Sequence, residues 1–227
     1  PTAPSATVTL GVIGNGGRAT QMLPVFLSQP GTRVLAVCDA VRERRERAKA
    51  TVDAFYGNSD CKAYRDFRDL LARSDIDALY IATGDRWHAR LAIYAMQAGK
   101  DVYVEKPQSH SGWEGRQAVE AARKYRRVVQ VGFQNRSAPY LFAAKKYIDE
   151  GRLGKIHLCR VFNQKGGEPN FPMAPDSDPP AGFNWDMWNG PAPEHKYNPT
   201  LRKHWRFLWR YCGGDMTYDG IHQVDMA

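Results

Sequence analysis

At 227 residues, 43% of them hydrophobic, and with a formal net charge of +8, the chain has room for one large domain, or for one full domain and part of a second. No apolar run approaches the ~20 residues that span a bilayer, and no nucleic-acid-binding motif accompanies the positive charge. Neither a membrane nor a nucleic acid is therefore an expected partner.

Pro1–Ala6 reads as a flexible tail without the charged start and apolar core of a signal peptide. Val8–Ile13 is an apolar strand that ends in a cluster of glycines, and Ala19–Leu27 reads as the helix that follows. Val34–Cys38 is a second short strand ending at Asp39, with a charged helix over Val41–Phe55. That helix holds the densest basic run, Arg42–Arg47, read as a solvated face with phosphate recognition as the rival. Phe67–Ala72 is a short amphipathic helix, and Ala78–Ala82 is a third strand ending at Thr83-Gly84. Trp87–Ala98 is a helix closed by Gly99, the residue type that favours a helix C-terminus. Val102–Val104 is a strand that stops at Glu105-Lys106-Pro107, Trp113–Tyr125 a helix and Val128–Gly132 a strand.

Strands alternating with helices predict βαβ units and a parallel α/β sheet. After about Gln134 the pattern changes. Tyr140–Glu150 reads as a helix and Ile156–Phe162 as a strand. A Pro/Gly/Asn-rich stretch, Gly166–Pro199, carries Phe183, Trp185, Trp188 and Tyr197 and reads as an ordered loop. A last helix begins near Asp219, so the second unit, from residue 134, reads as truncated. The four cysteines, Cys38, Cys61, Cys159 and Cys212, are scattered, with no spacing for zinc or a redox pair. A cytoplasmic chain with reduced thiols is expected; a periplasmic one stays open if an export signal has been removed. His195, His204, His222 and Asp225 have no recognised metal-ligand spacing, and no metal is expected.

Gly14-Asn15-Gly16-Gly17-Arg18-Ala19 fits G-x-G-x-x-A directly after a strand and before a helix. Gly14 permits the tight turn, Gly16 lets backbone approach a pyrophosphate, and Ala19 allows close helix–strand packing. The helix N-terminus meets the phosphates with free amides and a positive dipole end. Asp39, at the tip of the second strand, can accept from ribose hydroxyls and would repel a 2′-phosphate. NAD is thus favoured, with NADP possible because Arg42 could offset that repulsion. Thr83 and His88 are candidates to flank the nicotinamide, with the lining of its own helix as the rival reading of His88. Lys106 arrives at the carboxyl end of a strand, where α/β sheets bind ligands, as a proton carrier or a point charge.

Together these motifs make the chain resemble the glucose–fructose oxidoreductase / inositol dehydrogenase / rhizopine-catabolism family (Gfo/Idh/MocA). The resemblance runs through Gly14–Ala19, Asp39, Ile81–His88, Glu105-Lys106-Pro107, Gln130–Arg136, Asp186–Pro193, Trp205-Arg206 and Gly213–Asp225. It implies an N-terminal NAD(P)-binding Rossmann domain over residues 1–133. Residues 134–227 would then be the first part of a substrate and oligomerisation α/β domain with an open mixed sheet. It further implies hydride transfer between nicotinamide and a sugar, polyol or related hydroxy compound, in a homo-oligomer. Lys106 maps to the residue at the reacting hydroxyl and nicotinamide, with Glu105 beside it, and His222 to the proton carrier. The family's aspartate four residues before this histidine is Tyr218 here, while Asp219 lies three before. Asp219 is thus a catalytic candidate, and Tyr218, Trp185, Trp205 and Arg206 are substrate candidates. The usual proline after the third-strand threonine is Gly84, which is expected to loosen that turn. Two alternatives remain: an NAD-dependent glycosidase acting by transient oxidation and elimination, and a non-catalytic nucleotide-binding protein.

Overall fold

In a computed structural model, residues 6–162 and 170–227 are described. Six parallel strands form one sheet: β1 Val8–Ile13, β2 Thr32–Cys38, β3 Lys62–Tyr64, β4 Ala78–Ile81, β5 Asp101–Val104 and β6 Val129–Val131, in the order β3-β2-β1-β4-β5-β6. This is the doubly wound Rossmann order, whose switch point lies between β1 and β4. The crossovers contain α1 Gly17–Ser28, α2 Arg42–Tyr56, α3 Phe67–Leu71, α4 Asp85–Gln97 and α5 Gly112–Tyr125. The α/β class expected from the alternating pattern is thus the fold found.

Strand periodicity sorts the core into two layers. On β4, Leu79 and Ile81 enter one buried cluster with Leu70, Leu91 and Met96. Tyr80, between them, enters the opposite cluster with Val12, Leu23 and Val52. Both faces of the central strands are therefore buried, as helices on both sides of a parallel sheet require. On β2 the alternation slips: Val34 and Val37 share a face. A register shift occurs there, with Leu10 opposite Val34 but Gly11 opposite Ala36. One extra residue in a bulge moves everything beyond it to the other face.

Beyond β6 the chain makes a 3-10 turn, Gln134–Ser137, and α6, Pro139–Asp149. The strand expected over Ile156–Phe162 does not form: those residues are irregular and exposed. No segment pairs with them among the described residues, and an unpaired strand has no ladder to hold it. Likewise, no strand of the expected mixed sheet occurs after residue 133 among the described residues. Part of Gly166–Pro199 lies outside the described residues; the rest folds back on the sheet. An isolated bridge joins Val41 to Phe183, and the Arg42 N–H donates to the Gly182 carbonyl at 2.9 Å. α7 Trp185–Asn189 and α8 Pro199–Lys203 follow. The expected last helix is a π-helical turn, Met216–Gly220, running into α9, Ile221–Met226. Among the described residues no helix is long and apolar enough to cross a membrane.

Candidate active site

The carboxyl ends of the central strands open onto a cavity of about 390 Å³. One end is built from the turn after β1 and the tip of β2. Gly14, Gly16, Gly17, Arg18 and Asp39 line it. Gly14 has φ +85°, and a Cβ there would sit 2.7 Å from the Ala82 carbonyl oxygen. Glycine alone meets both demands. α1 has Gly16 at its N-cap, with no side-chain cap and no acid in its first turn. Its free amides and positive dipole end therefore face the cavity uncompensated, a fit for a pyrophosphate.

The Asp39 carboxylate accepts from the Asn15 N–H at 2.6 Å and the Val41 N–H at 2.8 Å. Burial pushes its pKa up, against these amides and the nearby Arg44 and Arg45. Arg44, from the basic run Arg42–Arg47, and Arg65, which the sequence did not single out, line the same end. Asn15 and Ala19, from the same motif, are buried behind the turn. Asn15 donates from Nδ2 to the Cys38 carbonyl at 2.9 Å, pinning the tip of β2, and is not among the cavity-lining residues. Ala19 is buried in the core between α1 and the sheet. Both shape the glycine turn from behind.

The tips of β4 and β5 build the other end. Thr83, His88, Glu105 and Lys106 all line it. His88 is buried, with Nδ1 2.6 Å from the Pro107 carbonyl and Nε2 3.2 Å from that of Thr83. It lines its own helix while tying the two strand tips together. Desolvation holds its pKa below the usual 6.5. Glu105 faces inward, its Oε1 accepting from Arg18 Nε at 2.8 Å and from the Tyr80 hydroxyl at 3.1 Å. The acid thus joins the glycine turn to the end of β5. Lys106, the next residue along, points the other way.

Lys106 Nζ donates to the Tyr218 carbonyl, lies 3.7 Å from Asp219 Oδ1 and sits 4.2 Å from the Tyr218 ring centroid. The structure therefore brings the strand-end lysine and the second motif together across more than a hundred residues. Tyr218, Trp205 and Arg206 line the cavity. Trp205 packs edge-on to Tyr218 at 5.9 Å, and Arg206 donates to the Tyr218 hydroxyl at 3.3 Å. His222 and Asp219 are not among the lining residues. The His222 ring packs edge-on to Phe133 at 6.4 Å, and its Nδ1 is buried without a partner. Burial, then the positive charge of Lys106, holds its pKa below 6.5.

Trp185 is buried and does not line the cavity. It packs against Phe183, Trp188 and Tyr197 at 5.0–6.0 Å, and its indole N–H donates to the His195 carbonyl at 2.9 Å. Ring and donor are both satisfied inside, so Trp185 supports the wall from behind. Trp188, Met187 and Arg86 reach the cavity instead. Asp225 holds Arg136 in a bidentate pair, with Arg136 Nε 2.9 Å from Oδ2 and Nη2 2.6 Å from Oδ1. No cluster of three or more metal-ligating side chains occurs among the described residues.

The strand order, the glycine turn and the cavity at the switch point define a dinucleotide-binding Rossmann protein. Residues 8–133, more than half of the chain, match the family model described as "Oxidoreductase family, NAD-binding Rossmann fold", and the chain belongs to this Gfo/Idh/MocA family. It is similar to inositol 2-dehydrogenase 2 of Saccharopolyspora erythraea, 32% identical over 75% of this chain and 49% of the relative. A glycosyl hydrolase family 109 protein of the same organism is 40% identical over 53% of this chain and 27% of the relative. Among solved structures, myo-inositol 2-dehydrogenase of Lactobacillus plantarum superposes with a TM-score of 0.59 at 26% identity, covering 66% of this chain and 43% of that one. The chain spans about half or less of the length of each of these relatives.

Proposed function

We propose that this protein takes part in NAD(P)-dependent oxidation and reduction at a CH–OH group of a sugar, polyol or related hydroxy compound. The observation that carries the reading is Lys106, held at the open end of β5 by the Tyr218 carbonyl and Asp219, in the same cavity as the glycine turn. The inositol dehydrogenase relatives support the substrate class. The uncapped start of α1 would hold the pyrophosphate, and Asp39 would meet the ribose. Arg44 and Arg65 beside Asp39 leave room for NADP. The nicotinamide, when bound, accepts or gives the hydride.

The protein's own residues orient the substrate and manage the proton. Lys106 stabilises negative charge developing on the reacting oxygen. His222, neutral at physiological pH, takes the proton, and Asp219 fixes Lys106 in place. Trp205, Arg206 and Tyr218 form the substrate wall. Because His222 stands behind that wall, its proton must come through Lys106, a water or a small shift of α9.

Residues 1–133 would form the cofactor domain and residues 134–227 the beginning of the substrate domain. Self-association through the latter belongs to the same proposal. The exposed Phe142, Leu158 and Phe162 support it, since apolar surface of this kind is normally covered. A cytoplasmic setting, with its thiols reduced, completes the reading.

The test is NADH binding by fluorescence, followed by polyol-dependent NAD reduction in the wild type, Lys106→Met and His222→Ala. Binding retained and turnover lowered at least a hundredfold is expected, the range for general acid–base groups; unchanged turnover in both variants would sink the assignment. The family 109 likeness favours a second reading, a glycosidase that oxidises transiently and re-reduces. Reduction of bound NAD without net release of NADH would select it.

A further inference from the structure

Arg86, the second residue of α4, is only 4% exposed. Its Nε donates to the Asn189 carbonyl at 3.0 Å and its Nη2 to the Trp188 carbonyl. These bonds satisfy the end of α7, whose last carbonyls lack helical partners. They leave Nη1 buried with no hydrogen-bond partner. Aromatic rings surround the guanidinium carbon, with Trp188 at 4.2 Å, Tyr211 at 4.7 Å and Trp205 at 5.9 Å. Among the described residues no carboxylate oxygen lies within 4.0 Å of it. Burial lowers its pKa to about 10, so it stays charged at neutral pH. Burying one donor of a charged group without an acceptor is costly.

Gly84 makes room for this group. A Cβ there would lie 2.4 Å from Arg86 Nη1 and 3.6 Å from the Trp205 ring. Gly84, Arg86 and Trp205 all line the cavity, and Nη1 is buried just behind that lining, against Gly84. The expected loosening of the turn by Gly84 is thus replaced by a specific use. Asp85 lines the cavity beside it, with Oδ2 buried and likewise unpartnered. At this end Glu105 is paired with Arg18 at 2.8 Å and Lys106 has Asp219 3.7 Å away, which leaves Arg86 and Arg206 beside the carboxylate of Asp85.

An unfilled donor with a full charge, an unfilled acceptor beside it and excess positive charge describe a site for a hydroxylated acid. We propose that Arg86 Nη1 binds the carboxylate of a sugar acid, an aldonate or a uronate, while Asp85 Oδ2 accepts from one of its hydroxyls. This deepens the preceding reading and rests on it for the reaction, but the binding can be measured alone.

Trp188 and Trp205 border Arg86, so tryptophan emission reports the site. The purified protein is titrated with sodium glucuronate and with glucose at matched ionic strength, with and without NADH. Glucuronate is expected to bind at least roughly tenfold more tightly, the scale of one charge-assisted hydrogen bond. The preference should vanish in Arg86→Gln and shrink in Gly84→Ala, which keeps the charge but displaces Nη1. Equal binding of acid and neutral sugar by the wild type, or an undiminished preference in folded Arg86→Gln, overturns the proposal. If Arg86→Gln does not fold, the wild-type comparison and Gly84→Ala decide. Failure of NADH binding would instead count against the oxidoreductase reading, while the two sugars still judge Arg86.

Discussion

At Lys106, charge and position act together. Its ammonium group depresses the His222 pKa after burial has already done so, and both effects favour the neutral imidazole. Lys106→Met removes one cause and leaves the other. The His222 titration, followed by the NMR signal of its ring proton, should then move up toward 6.5 without reaching it. An unchanged titration would mean that the two side chains do not sense one another. A second residue-scale expectation concerns Gly14, where positive φ and a 2.7 Å approach to the Ala82 carbonyl coincide. Gly14→Ala should cost about 1–3 kcal/mol of stability, from strain and crowding. It should also weaken NADH binding more than Ala19→Ser does, since Ala19 lies behind the turn. Chemical denaturation and NADH titration of the two variants separate these effects.

At the scale of elements, short helices with polar caps hold the cavity wall. Asn198 caps α8 by accepting from the Thr200 and Leu201 N–H groups at 2.9 and 3.2 Å. Its Nδ2 donates to the Ala174 carbonyl and to Asp176, so one side chain fastens the helix to the strap before it. Trp205 and Arg206 follow α8 directly. Asn198→Ala should cost about 0.5–2 kcal/mol and raise KM for a polyol more than it lowers kcat, because the wall moves while Lys106 does not. The elements also set what could be read in advance. The strands with strong apolar runs, β1, β2 and β4, and the glycine turn were legible because backbone and burial both demand those residue types. β3 has three residues with a mixed pattern and exists through its pairing with β2, which no local signal encodes. Ile156–Phe162 fails in the opposite sense: it has strand-like residues but no described partner. The cavity lining was legible where motif residues carry it, as at Lys106 and Asp39. It was not where chemistry depends on folding back, as with Arg86 between Gly84 and Trp188, or with Trp185, whose large ring faces inward.

Across the whole molecule, the tips of β4 and β5 meet through one buried imidazole, so the site and global stability share a titration. His88 has its pKa lowered, chiefly by burial, so the folded state binds its proton less readily than the unfolded chain does. Below about pH 6.5 the unfolded state therefore holds more protons, and stability falls as pH falls. The fall continues down to the folded-state value and ends there. His222 contributes with the same sign and in the same window. Asp39 contributes with the opposite sign: its raised pKa lets the folded carboxyl keep a proton that the unfolded chain loses above 3.8, so its part is greatest in acid and fades as pH rises. Urea denaturation of the wild type from pH 7 to 5.5 should thus show a declining stability, with at most about 1.4 kcal/mol per pH unit from each histidine. His88→Asn can still donate to one of the two carbonyls, but it does not titrate. It should be less stable at pH 7 and yet show a shallower decline, and the curves of the two proteins should converge toward acid. Parallel curves would mean that His88 keeps its ordinary affinity for the proton in the fold, and that the tie between the two strand tips is not paid for in pH dependence.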